Sequence, residues 1–131
     1  MKEPQPTSRD SIPAVLVMTT PTDKREEEAD RAAEMTSLLD TAKRSLVGRL
    51  LQHCERPIGA TYIGSGKMEE LAKLVKERGA DEVWFDCCLS PKQQNNLEEA
   101  VQRPVFDYEW LILEIFAINA RTEEARLAVE L

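Results

Sequence analysis

Ala14-Val15-Leu16-Val17-Met18-Thr19-Thr20-Pro21 is an unbroken apolar run closed by a turn signal, the pattern of a strand buried on both faces. Such a strand sits in the middle of a sheet. Working outward, residues 1–12 carry Pro4, Pro6, Ser8 and Ser11 among charges, show no apolar periodicity, and read as a mobile leader. On the other side, Asp23 with Glu26 makes a capping-box-like start. Ala29, Ala32, Ala33, Met35, Leu38, Leu39 and Ala42 then recur at helical spacing, predicting a helix over about 23–44.

The same alternation continues to the end of the chain. Leu46–Gln52 reads as a second strand, and Arg49 and Gln52 give it an edge-like position. A long loop, 53–65, follows, and from Lys67 to Arg78 the residues Met68, Leu71, Ala72, Leu74 and Val75 form one apolar helix face that Gly79 stops. Glu82–Asp86 supplies a third strand. Ser90 as cap, Pro91 at the first helical position and Gln93 closing the box open a helix that ends near Ala100 or Val101. Val105–Asp107 is a short fourth strand, and Trp110–Ile118 is so apolar that its neighbours should cover nearly all of it. Strands alternating with helices imply an α/β fold: a four-stranded parallel sheet in the order 2-1-3-4, with right-handed crossovers and helices on both faces.

Composition narrows the function. The 131 residues carry 24 acidic and 17 basic side chains, a formal net charge of −7, which argues against a generic nucleic-acid coat. Between Ala42 and Lys67, however, Lys43, Arg44, Arg49, Arg56 and Lys67 face Glu55 as the one acid, so that segment stands at +4 within an acidic chain. Three cysteines, Cys54, Cys87 and Cys88, show no C-x-x-C spacing and follow no signal peptide, which favours a reducing cytoplasm. No long uncharged apolar run suggests a membrane span.

The chemistry-bearing stretch is Gly64-Ser65-Gly66-Lys67, a glycine-bracketed turn running into a helix. There the glycines permit torsions other residues resist, and the helix start offers unpaired N–H groups to an anion. A Walker-type phosphate loop needs a further glycine where Thr61 stands and a hydroxyl where Met68 stands, so an ordinary NTPase site is rejected. Ligands on parallel sheets bind at strand carboxyl ends, here Thr19, Thr20 and Asp86, with Ser90 nearby; these form the alternative site, for a small nucleotide such as ATP. A receiver-like phosphoacceptor at Asp86 lacks its metal-binding acids, leaving Asp86 as a turn or capping residue. His53-Cys54 and Cys87-Cys88 would sit about 10 Å apart across strands spaced ~4.8 Å, too far for one zinc ion, so no metal is expected. With one histidine and no nucleophile–base pair, no catalytic residue is expected in this segment.

Several stretches together carry a resemblance. Ala60–Leu71, Phe85-Asp86 with Leu89–Glu98, Leu111–Ala117, Ala120-Arg121-Thr122 and Val129-Glu130-Leu131 are similar, in order, to the amino-terminal domain of the HflX ribosome-associated GTPases. The resemblance implies an α/β domain over 13–120 and, from 121–131, the start of a long helical hairpin. A GTPase domain using GTP and Mg²⁺ would follow, in a cytoplasmic protein that binds the large ribosomal subunit and splits stalled or idle ribosomes. It further implies no cofactor in this segment, contact with ribosomal RNA and with the protein's own GTPase domain, and no membrane. The rRNA phosphates would meet Arg49, Arg56, Gly64, Ser65, Gly66, Lys67, Lys92 and Arg121. This chain departs from the family pattern at Asn95, at Tyr108-Glu109, and at Ala125 and Ala128, losing two basic side chains. Finally, Glu123–Leu131 is strongly helix-forming with no stop signal. Its apolar residues, beside the apolar 109–120, are expected to drive a weak homodimer through 121–131.

Overall fold

The computed structural model describes residues 11–19, 26–52 and 63–130, with side chains to Arg121. Its elements are β1 (Ile12–Met18), α1 (Glu28–Thr41), β2 (Arg44–Leu51), α2 (Ser65–Arg78), β3 (Glu82–Phe85), α3 (Pro91–Val101), β4 (Val105–Phe106) and α4 (Tyr108–Glu130). All strand pairs are parallel and the order is β2-β1-β3-β4, as the alternation of apolar patterns predicts.

Side chains alternate along β1, and the alternation sorts the helices. Val15 and Val17 join a core built with Leu71 and Val75 of α2 and Leu97 and Val101 of α3. Ala14, Leu16 and Met18 join the opposite core, with Met35 and Leu39 of α1, Trp84 of β3 and Leu111 of α4. Residues 14–18 are thus buried on both sides, the burial that an unbroken apolar run calls for.

Local signals set most helix ends. Ser90 Oγ accepts from Gln93 N at 3.1 Å while Gln93 Oε1 accepts from Ser90 N at 3.0 Å, completing the predicted capping box of α3. Gly79 closes α2 in the left-handed region, φ 66°, with its N–H directed at the carbonyls of Val75 and Lys76. Helix α1 is shorter than its pattern suggests, ending at Thr41 because Lys43 turns left-handed (φ 64°) and Arg44 already belongs to β2. Asp23, the expected start of that helix, lies outside the described residues.

Strand β2 carries one extra residue. Ala14 pairs with Leu46 and Val15 with Gly48, so Val47 bulges from the ladder, and Arg78 Nη1 donates to its carbonyl at 2.6 Å. A Cβ on Gly48 would lie 3.4 Å from Leu74, so the missing side chain lets α2 approach the bulge.

A row of rings crosses the α1/α4 side. The Arg44 guanidinium lies 5.4 Å from the Trp84 ring, Trp84 stacks on Phe106 at 4.8 Å, and Phe106 meets Trp110 edge-on at 5.9 Å. Glu82 Oε1 anchors the row by accepting from both Arg44 Nε and Trp84 Nε1 at 2.9 Å.

The expectation that neighbours cover α4 is corrected here. Leu111, Ile115 and Ile118 face the sheet, but Trp110, Leu113 and Phe116 are 50%, 56% and 65% exposed. One layer of sheet can cover only one side of a helix, whatever the sequence pattern.

Two glycines should respond oppositely to alanine. Gly79→Ala places a Cβ in a left-handed backbone and should cost about 1–2 kcal/mol. Gly66→Ala, helical and with nothing within 4 Å of its Cβ, should gain about 0.5 kcal/mol. Urea denaturation midpoints measure both.

Candidate functional site

The carboxyl ends of β1 and β3 meet at the reversal of strand order, the usual ligand position of such sheets. Here the chain fills that position itself. Asp86 N donates to Val17 O at 3.1 Å, drawing the β3 end against β1. Asp86 Oδ1 then accepts from Thr19 N at 3.0 Å and from Thr19 Oγ1 at 2.8 Å. Arg31, reaching from α1, donates Nη2 to the Asp86 carbonyl at 2.9 Å and lies 3.4 Å from Oδ2. The Asp86 side chain is 1% exposed while that of Arg31 is 43% exposed, so a buried carboxylate is neutralised by a cation that stays partly in water.

Thr19 and Asp86 are therefore brought together, as a clasp rather than an open cluster. Ser90 stands apart in the α3 capping box, and Thr20 lies outside the described residues.

A second buried acid, Asp107, plays the matching role under α4. Its Oδ2 accepts from Leu89 N at 2.9 Å and its Oδ1 from Trp110 N at 3.1 Å, while Tyr108 N donates to Cys87 O at 3.2 Å. It caps α4 and ties that helix to the loop after β3. Sequence reading placed Asp107 in the fourth strand; an Asp directly before an apolar helix was the N-cap signal to heed.

Among the described residues, the α2 side of this edge presents a helix start. Gly64 caps α2 with no side-chain bond, and the first helical turn bond runs from Met68 N to Gly64 O, so the N–H groups of Ser65, Gly66 and Lys67 lie ahead of the helical ladder. Lys67 Nζ sits 3.3 Å from Glu70 Oε1. Lys92, exposed in the first turn of α3, shares this edge on the α2 side; Arg49, exposed near the carboxyl end of β2, pairs with Leu16 and so lies on the opposite, α1 face of the sheet, and Arg121 lies 13 residues into α4, about 20 Å from its start. Arg56 falls outside the described residues. Across the sheet, Glu26 and Glu27 precede α1 and Glu28 opens it, and Arg49 lines one hollow with Glu28, Ala29 and Ala32 on that face.

The two glycines of this turn behave unlike turn glycines. Gly64 has φ −73° and Gly66 is helical, so neither needs a torsion reserved for glycine, and a Cβ on either would meet nothing within 4 Å. Inside this domain both could be alanine.

These residues do not fit a Mg²⁺-nucleotide triphosphate. Met68 takes the place of the metal-binding hydroxyl and packs against the core. Among the described residues no three His, Cys, Asp or Glu are disposed to hold a metal, and Cys87 and Cys88 form no disulfide. His53 and Cys54 lie outside the described residues, and no described helix is long and apolar enough to cross a membrane.

A parallel 2-1-3-4 sheet whose β1 and β3 ends are clasped together by Thr19, Asp86 and Arg31 defines a doubly wound α/β domain. The family described as "GTP-binding GTPase N-terminal" matches residues 29–117. The chain belongs to that family, the amino-terminal domain of HflX-type GTPases. It is 38% identical over 121 residues to GTPase HflX of Alkalihalophilus pseudofirmus, covering 92% of this chain and 29% of that protein. It is 37% identical over 107 residues to GTPase HflX of Escherichia coli, covering 82% and 25%. The chain thus spans under a third of the length of these relatives. Among solved structures, the SsGBP–GDP complex superposes with a TM-score of 0.64 at 22% identity, over 91% of this chain and 33% of that one, a likeness of fold.

Asp86→Ala would strand the Thr19 N–H and the Arg31 charge. A loss of about 3 kcal/mol is expected in guanidinium unfolding, against less than half that for Asp86→Asn, which keeps an acceptor for Thr19.

Proposed function

We propose that this chain is the amino-terminal domain of a longer GTP-binding protein and acts as a non-catalytic module that docks on the large ribosomal subunit, in the service of ribosome splitting or rescue. The observation that carries this reading is the start of α2: two glycines that the domain's own geometry does not require, first-turn N–H groups with no side-chain cap among the described residues, and Lys67 beside them. A glycine with open space above it admits a partner's backbone at close range, and a helix N-terminus favours phosphate. Lys92 on the same side adds charge for a further phosphate, Arg49 at the same end of the sheet offers another on the α1 face, and the +4 segment lies within a chain otherwise acidic. GTP hydrolysis, with its Mg²⁺, is assigned to the remainder of such a protein.

The alternative, a small nucleotide at the strand ends, has less to stand on. Thr19 and Asp86 satisfy one another, and Ser90 is spent on its own helix.

Co-sedimentation with large ribosomal subunits tests the proposal. Lys67→Ala and Arg49→Ala should each weaken binding severalfold and flatten its dependence on salt, since each phosphate left without its cation lowers the slope by about one. Gly66→Ala is the sharper variant: stability rises while ribosome affinity falls. Binding unchanged by all three overturns the assignment of this edge.

A further inference from the structure

Helices α2 and α3 lie on one face of the sheet, and between their last turns is a hollow of about 310 Å³, at the end of the domain away from the Thr19–Asp86 clasp. Three of the residues lining it are cations, Lys73, Lys76 and Arg103, and none is an acid. The hollows beside β2 each include a carboxylate, from Glu28, from Asp40 or from Glu70 and Glu77. This one therefore runs against the charge of a chain that stands at −7.

The fold accounts for only part of this charge. Lys76, in the last turn of α2, suits the negative end of the helix dipole, but Lys73 lies a turn earlier, where the dipole gives no reason for it. Glu69 and Glu77 stand one turn to either side of Lys73, yet among the described residues neither lysine ammonium makes an ion pair or hydrogen bond. Arg103 is partly spent: its Nε donates to Ala80 O at 2.9 Å and its Nη1 to Gln102 O at 2.8 Å. Each fork of the guanidinium thus has one prong in use, and Nη2 is left as a single donor. Carbonyls that would repel an anion here are covered as well, Glu98 O by the Gln102 N–H and Glu99 O by Gln102 Nε2.

That donor set selects the ligand. A carboxylate is held best by two parallel donors from one guanidinium, and Arg103 has no such pair to offer. A phosphate carries its charge on oxygens that point in several directions, and it takes single donors from separate side chains, as two ammoniums and one guanidinium nitrogen supply. No aromatic ring lines the hollow, so nothing there stacks on a base. We propose that the groove between the ends of α2 and α3 binds a short run of phosphates through Lys73, Lys76 and Arg103, reading charge and not base identity. An RNA backbone and a free polyphosphate both present that chemistry. Lys76 lies about 14 Å along α2 from Lys67, so the groove is separate from the helix start and does not rest on the ribosome reading.

Amide NMR spectra of the 131-residue chain, titrated at low salt with sodium tripolyphosphate and separately with a short oligouridylate, test the assignment. Shifts should concentrate on residues 72–76 and 100–103 and saturate with a Kd of about 1 mM or below. Lys73→Gln and Lys76→Gln should each weaken binding about threefold. Reversing both charges to Glu should abolish it with an unchanged circular dichroism spectrum, since both side chains are exposed. Lys43→Gln, an exposed lysine before β2, should leave binding as it is. Tighter binding of the oligouridylate assigns the groove to RNA, and tighter binding of tripolyphosphate to free polyphosphate. No saturation with either anion up to about 10 mM, or binding indifferent to the double reversal, overturns the proposal. Shifts confined to residues 64–67 overturn it too, while leaving the reading of the α2 start in place.

Discussion

A strand with no face toward water has to be sandwiched, and β1 imposes that condition on everything else. Its five buried residues, 14–18, demand helices on both sides and a strand along each edge, which fixes β1 beside β2 and β3 and sends α1 and α4 to one layer and α2 and α3 to the other. Burying Val15, Leu16, Val17 and Met18, each worth roughly 1.5–3 kcal/mol, outweighs the local preferences of the flanking segments. Truncation of α1 at Thr41 is one result: its apolar spacing runs to Ala42, but the chain must turn at Lys43 for Arg44 to pair with Ile12.

The two buried acids show how such a sheet can lose its usual ligand pocket. Carboxylates at the ends of β3 and β4 lie where other doubly wound sheets bind small molecules, yet Asp86 accepts from Thr19 and Asp107 from Leu89 and Trp110. Each ties one connection to its neighbour. A carboxylate satisfied by backbone N–H groups stabilises a loop and has little capacity left for a ligand. The proposed ribosome-facing surface therefore lies outside that position, at the first turn of α2.

Helix α4 is held to this sheet at one end. Its inner side is fixed by Leu111, by the Asp107 cap and by the ring row from Trp84 through Phe106 to Trp110, while Arg44 reaches toward Glu114 from the opposite edge of the sheet. Those ties span only its first turns. The rest, to Glu130, is helix by local preference, rich in Ala, Glu, Arg and Leu.

The sequence by itself determined the alternation of elements, the order of strands, the α3 capping box and the Gly79 stop. Each depends on residues a few positions apart: an apolar run, a Ser three before a Gln, a glycine after a helical stripe. It also located the Gly64–Lys67 turn, because glycines and a lysine at a helix start are a local signal. The tertiary structure decided what local patterns cannot carry. Asp86 and Thr19 are 67 residues apart and become partners only when β1 and β3 pair. The coverage of Trp110, Leu113 and Phe116 depended on how many layers surround α4, which its apolar content cannot reveal. Whether Gly64 and Gly66 serve the backbone or the surface likewise rested on their torsions and on the space above them, quantities that exist only once the chain has folded.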